Sequence, residues 1–169
     1  MSRRKNVLRR GFTVGFLAVI SLYFFAGCGA SLPANAPRYS PTKVPTDGKG
    51  LLYIYRIKAY PLARKPRLII DGKLVTEPIE KSYTWLYLPP GIHNVKLEWA
   101  WDTGAPNLDF NIEIAAQESN FLKISGSFSG GYSYFQFGSQ AAMMKPEYAE
   151  RELEKNCRYM APYIQTIGN

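Results

Sequence analysis

The sequence predicts an all-β fold: an antiparallel β-sandwich of about seven strands followed by a C-terminal helix. Three observations predict it. Beyond residue 50, apolar residues recur with a period of two through most of the chain. The apolar runs are short and are separated by turn pairs such as Asp71-Gly72 and Pro90-Gly91. A helical period appears only after Pro146. A length of 169 residues allows one domain of this kind with accessory segments, and 46% hydrophobic residues supply its core.

The first strand covers 51–57, where Leu51, Tyr53, Ile54 and Tyr55 are β-branched or aromatic or aliphatic throughout. Strands at 67–70 and 73–75 flank Asp71-Gly72 and read as a tight hairpin. The next, 84–88, is stopped by Pro89-Pro90-Gly91. Val95, Leu97, Trp99 and Trp101 then share one strand face, with Asn94, Lys96 and Glu98 on the other. Leu108, Phe110, Ile112 and Ile114 alternate with Asp109, Asn111 and Glu113 in the same way. A turn around 117–120 leads to Leu122 and Ile124, and 132–137 makes a last strand. Pro146 suits a helix N-terminus, and the helix runs to about Met160 with Ala149, Leu153, Cys157 and Met160 on one stripe. Trp85, Trp99 and Trp101 are assigned to the core.

The formal charge is +8, from 21 Lys and Arg against 13 Asp and Glu, a balance that on its face suits nucleic acid. Its distribution argues otherwise. Arg3, Arg4, Lys5, Arg9 and Arg10 precede an uncharged apolar run at 12–25, followed by Ala26, Gly27 and Cys28. A run of 14 residues, broken only by Thr13, Gly15 and Ser21, is too short against the roughly 20 that span a bilayer, so the pattern reads as a secretory signal rather than a signal anchor. Small residues before a cysteine resemble the lipobox of bacterial lipoproteins, with Phe25 standing where that pattern usually has Leu. The resemblance implies cleavage before Cys28 and attachment of lipid to its thiol, the nucleophile that forms a thioether with diacylglycerol. The arginine pairs at 3–4 and 9–10 lack a full twin-arginine motif, so the general secretory route is favoured. Gly29, in a host with two membranes, implies the outer membrane and a domain facing the periplasm. Removing the five cations and no acid of 1–27 leaves 16 positive against 13 negative residues, a net of +3. The nucleic-acid reading then loses its support.

This divides the chain into a signal peptide at 1–27, a lipidated cysteine and Pro-rich linker at 28–49, a sandwich at 50–138, and a C-terminal helix and tail at 139–169. Pro33, Pro37, Pro41 and Pro45 stiffen the linker, and Leu32 and Val44 are its only large aliphatic residues. Either it extends freely and holds the domain tens of ångströms from the bilayer at ~3.1 Å per residue, or it lies along the domain.

The strand from Gly50 to Arg56, the hairpin about Asp71-Gly72 and the run Leu88-Pro89-Pro90-Gly91-Ile92-His93 together resemble a family of uncharacterised bacterial lipoprotein domains, similar in turn to PEGA-type β-sandwich modules. The resemblance covers roughly 50–100. It implies a sandwich and an envelope location, gives these residues structural roles and implies no reaction.

No residue set is assigned to catalysis, a cofactor or a metal. His93 is the only histidine, and on the face of Val95 and Leu97 it reads as a partly buried, locally hydrogen-bonded ring. Cys157, left without an intramolecular partner if Cys28 is acylated, is either a buried residue of the helix stripe or an intermolecular bridge. A Cys157–His93 hydrolase is the weakest reading, since both must share a cleft with an orienting group. Arg56, Lys58, Arg64, Lys65 and Arg67 form a segment without acids, a candidate contact for anionic lipid or polymer, or else a solvated connection. Between 125 and 139, Gly and Ser alternate with aromatics. These are core and cross-strand pairs, or they are exposed, with Tyr132 and Tyr134 able to stack on a small apolar or glycan ligand. The leading expectation is a non-enzymatic, lipid-anchored envelope protein, free of cofactor, that binds a partner protein or envelope polymer.

Overall fold

The computed structural model describes residues 31–58, 60, 61, 63–132 and 134–168. The chain forms an all-β sandwich of two sheets with one helix. The strands are β1 (Gly50–Arg56), β2 (Arg67–Ile70), β3 (Lys73–Thr76), β4 (Ser82–Leu88), β5 (Gly91–Glu98), β6 (Leu108–Ile114), β7 (Ser119–Gly130), β8 (Phe135–Met144) and β9 (Arg158–Tyr159). The helix, α1, spans Pro146–Asn156. One sheet has the order β8-β7-β1-β4-β9 and the other β3-β2-β5-β6.

The smaller sheet is antiparallel, as the sequence predicts. The larger is mixed, because β7 runs parallel to β1 and β9 parallel to β4. The chain reaches β7 from the opposite sheet, and nothing in an alternating pattern reports the direction from which a strand enters. Leu52, Ile54, Leu86, Leu88, Leu122 and Ile124 of the larger sheet meet Leu68, Ile70, Val95, Leu97, Ile112 and Ile114 of the smaller in the inter-sheet core. The other face of the larger sheet is also buried. There Leu51, Tyr53, Tyr55, Tyr83 and Phe121 pack against Ala149, Leu153 and Cys157.

The Pro-rich segment is part of this outer layer. Tyr39 sets its ring edge against Tyr53 (5.7 Å) and Tyr83 (5.4 Å), and Val44 packs beside them. Prolines cannot donate to a ladder, so side chains reach the backbone of the segment instead. Arg158 Nη1 donates to the Ala34 and Ala36 carbonyls, Tyr87 Oη donates to Lys43 O, and Tyr53 Oη accepts from Thr42 N–H. Of the two courses open to this segment, residues 34–49 take the one along the domain.

The far end of the chain also joins the sandwich. The helix stops at Asn156, not near Met160, because Cys157 adopts an extended conformation and Arg158 N–H donates to Lys81 O. Residues 158–167 then follow β4 through bonds from Met160 N–H to Tyr83 O and from Ile167 N–H to Tyr87 O, and Ile167 enters the inter-sheet core. The ladder therefore runs beyond 138, with β8 reaching Met144.

Of the three tryptophans assigned to the core, one lies in it, one meets the assignment in part and one departs from it. Trp99 is 6% exposed, belongs to the inter-sheet core and donates Nε1–H to Ser139 Oγ, and Trp85 is half-buried on the helix side. Trp101 is 95% exposed. Strand β5 ends at Glu98 and the chain turns through a single 3-10 turn at Trp101–Thr103, closed by Gly104 at φ 64, so the period-two face does not extend to residue 101.

The helix is fastened by Glu152, which accepts from Lys123 Nζ of β7 (2.5 Å) and Tyr55 Oη of β1 (2.8 Å). Burial alone would raise the Glu152 pKa, but these hydrogen bonds outweigh it and hold the carboxyl below its ordinary value. A depressed folded-state pKa stabilises the fold above the ordinary glutamate pKa, and the effect is lost as pH falls through the folded value. The stability difference between the wild type and Glu152→Gln, read from urea midpoints, is thus expected at neutral pH and should vanish below the ordinary glutamate range. A pH-independent difference contradicts this assignment. Tyr39→Ala should lower stability by about 2 kcal/mol in the same assay, whereas a freely extended linker predicts no change.

Candidate functional site

Two of the features singled out in the sequence, the basic segment and the Gly/Ser/aromatic stretch, meet at the end of the sandwich where β1 stops. Its last residue, Arg56, is fully buried. The guanidinium donates from Nη1 to Arg64 O (2.7 Å) and Pro78 O (2.9 Å) and from Nη2 to Pro61 O (2.8 Å), and lies 5.2 Å from the ring centre of Trp99. Burial pulls its pKa down to about 10, so it stays charged at neutral pH. Arg56 is therefore not a contact for an anionic surface. It is the post against which the described residues of the loop, Pro61 and Arg64 among them, are held, and its charge is matched by carbonyl dipoles and an aromatic face.

Three of the other cations are matched by acids from elsewhere in the chain. Arg64 pairs with Asp102, Lys65 with Glu77 (3.6 Å) and Arg67 with Glu98 (2.9 Å). The last pair sits directly across the β2–β5 ladder, where Arg67 faces Glu98. These pairs are partly exposed and worth under ~1 kcal/mol each, but they cancel much of the field that a bare basic segment would present. Lys58 lies 5.7 Å from the centre of the Tyr60 ring. Arg64, Lys65, Arg67, Glu77, Glu98, Trp99 and Ala100 border an open cleft of about 510 Å³.

Beside the cleft, β7 and β8 continue as a two-stranded ribbon past the end of β1. Arg56 is opposite Ile124, yet β7 runs on to Gly130. The pairing Phe128↔Phe137 and Gly130↔Phe135 puts the aromatics on the face continuous with the inter-sheet core, while Ser125, Ser127 and Ser129 pair with Gln140, Gly138 and Gln136 on the other. Phe128 stacks on Phe135 at 5.8 Å and meets Phe137 at 5.3 Å and Tyr60 at 5.9 Å. The loop can lie on the ribbon because Gly126 has no side chain: a Cβ there would be 2.8 Å from Tyr60 O. Gly131 N–H donates to Tyr134 O and β8 begins only at Phe135, so Tyr132 and Tyr134 lie between the strands rather than in a last strand. Both are exposed, as are Phe135 (77%) and much of Phe128. Of the two readings of this stretch, the core assignment fails for these residues, because they stand exposed to solvent.

His93 lies toward the opposite end. Its Nδ1 is 2.6 Å from Asp71 Oδ2 and its Nε2 2.8 Å from Pro89 O. Asp71 Oδ1 also accepts from Asn94 N–H (3.0 Å), and Asp71 and Gly72 take φ values of 48 and 75, the tight hairpin turn that Asp-Gly favours. Both ring nitrogens are thus committed to joining the β2–β3 turn to the β4–β5 turn. Cys157 is buried on the helix side, and burial first, then the Glu152 charge, pushes its thiol up to about 12. The larger sheet separates it from His93, so the two cannot form a Cys–His pair. Among the described residues, no group of three or more His, Cys, Asp or Glu could hold a metal, and no helix is long and apolar enough to cross a membrane. Cys28 lies outside the described residues.

Comparison with known proteins finds no matching family model, no matching curated protein and no matching solved structure.

Arg56→Met removes the donors of three carbonyls and should cost about 3 kcal/mol. The measurement is the urea midpoint together with proteolysis of the 57–66 loop. Unchanged protease resistance of that loop would show that Arg56 does not organise it.

Proposed function

We propose that this chain is a lipid-anchored, non-enzymatic protein of the bacterial cell envelope, held at a membrane through Cys28, whose sandwich binds a partner protein or an envelope polymer. The anchor reading is supported by the basic flank, the short apolar run and the small residues before Cys28. In a host with two membranes, Gly29 favours the outer membrane and a periplasm-facing domain.

The observation that carries the binding reading is the concentration of exposed aromatics and paired charges at the Arg56 end. The cleft carries Arg64, Lys65, Arg67, Glu77 and Glu98 over Trp99, and Trp101 stands exposed one residue beyond its border at Ala100. Trp, Tyr and Arg are the residue types that dominate protein interfaces, and mixed charges fit a partner presenting both signs better than a uniformly acidic one. A small apolar or glycan ligand stacked on Tyr132 and Tyr134 is the competing reading, favoured by their exposure.

The anchor is tested by labelling cells with radioactive palmitate and fractionating them. The wild type should carry label and sediment with membranes, and Cys28→Ala should lose both. An unlabelled wild type, with the variant equally retained in membranes, overturns the proposal.

A further inference from the structure

We propose that the aromatic tip of the β7–β8 ribbon docks into the head-group layer of the same bilayer that holds Cys28, so that the sandwich stands on its Arg56 end against the membrane. The inference rests on the lipid-anchored reading of Cys28 and adds an orientation and a second membrane contact to it; the ribbon aromatics are assigned to lipid, and the cleft with Trp101 is kept for the partner.

Strand register fixes which features share an end. Arg56 is opposite both Ser82 and Ile124, so the 57–66 loop, the connection from β3 to β4 and the overhanging part of β7 all lie beyond the same edge. The N-terminal residues reach that end as well: Ser31, Leu32 and Pro33 line a cleft with Lys65, Thr76, Glu77 and Ile79.

The lengths then limit how far the domain can stand off. Residues 34–49 are bound along the sheet and do not act as a spacer. Only Gly29 and Ala30 separate Cys28 from Ser31, and the three residue steps reach at most about 10 Å. From Ile124 to Gly130 the ribbon advances six residues beyond the last β1 pairing, about 20 Å at strand rise. The projection exceeds the tether, so a lipid at Cys28 brings the tip to the bilayer surface.

The tip has the chemistry of that surface. Tyr132, Tyr134, Phe135 and Phe128 are exposed, and rings with one apolar and one polar edge concentrate at the membrane–water boundary. No Asp or Glu occurs anywhere in 119–146, so the ribbon itself brings no carboxylate to the lipid phosphates, and Glu77, Glu98 and Asp102 at the same end are paired with Lys65, Arg67 and Arg64. Lys58, beside Tyr60 and through it beside Phe128, supplies a cation at the level of the phosphates. A soluble ligand or a second copy would fit the aromatics too, but neither is brought to this end by the covalent structure of the chain.

The test uses the full-length lipidated protein in vesicles of phosphatidylethanolamine and phosphatidylglycerol containing a lipid with a nitroxide near its head group. Ser129→Cys carries an environment-sensitive fluorophore on the ribbon, and Lys73→Cys carries it at the opposite end. Flotation reports the anchor, and quenching reports the docking. Flotation with fluorescence lost at 129 and kept at 73, and recovery of the signal at 129 in Tyr132→Ser/Phe135→Ser, is the expected result. Flotation with no quenching at 129 overturns the docking and leaves the anchor standing. Equal quenching at 129 and 73 overturns the end-on orientation. A blue shift at 129 without quenching means that a second copy covers the ribbon, and also overturns the proposal. Failure of the wild type to float overturns the anchor and the inference with it.

Discussion

All seven residues of β1 are buried, although a strand has two faces, and this double burial is the constraint on which the rest of the molecule depends. Leu52 and Ile54 need an apolar layer on one side, and Leu51, Tyr53 and Tyr55 need one on the other. The smaller sheet covers the first set. No second sheet is present for the other set, so the chain assembles a composite layer from α1, the Pro-rich segment and the strand-like tail. Water left over Tyr53 or Phe121 would forfeit on the order of 2 kcal/mol per side chain, which is reason enough for chain termini to be recruited into the fold. Hydrogen bonding follows the same logic, since Arg158, Tyr53 and Tyr87 satisfy a proline-containing segment that cannot form a regular ladder.

The two ends of the sandwich are finished differently. At one, His93, Asp71 and Pro89 join adjacent turns, and the chain closes tightly. At the other, the buried charge of Arg56 has the Pro61, Arg64 and Pro78 carbonyls among its partners, which holds Pro61 and Arg64 over the end of β1 while Tyr60 lies on Gly126. Beyond that contact, among the described residues, the aromatics of the β7–β8 ribbon meet one another and the Tyr60 ring. A two-stranded ribbon with one aromatic and one Ser/Gln face is marginal in water when nothing covers it, and local opening is expected at its low-contact tip. An element of this kind gains most from an external apolar surface, which connects the packing deficit of the ribbon to its proposed place at a membrane.

Much of this architecture was legible in the sequence because half-buried strands leave a period-two trace. The alternation in 94–98 and 108–114 and the Asp71-Gly72 turn locate β2, β3, β5 and β6. The trace stops short wherever both faces are used or the neighbour is distant. Trp101 continued the alternation arithmetically, but the strand had already ended. Cys157 continued the helical stripe, but a backbone bond from Arg158 to Lys81 had already drawn the chain into a strand. The basic run 56–67 has no acid in its own sequence, and its partners Glu77, Glu98 and Asp102 come from three other segments. Only the register that sets Arg67 opposite Glu98 reveals that the field is compensated.

By itself, then, the sequence determined the fold class, the turns that punctuate it and the separation of a basic N-terminal flank from a nearly neutral remainder, because those follow from local periodicity and composition. Tertiary structure alone decided that the Pro-rich segment is bound and not free, that Arg56 is a buried post and not a surface cation, and that the aromatics of 128–135 stand in solvent. Each of these depends on which distant surface lies opposite, and the sheet order that settles it arises from long-range pairing that no local pattern encodes.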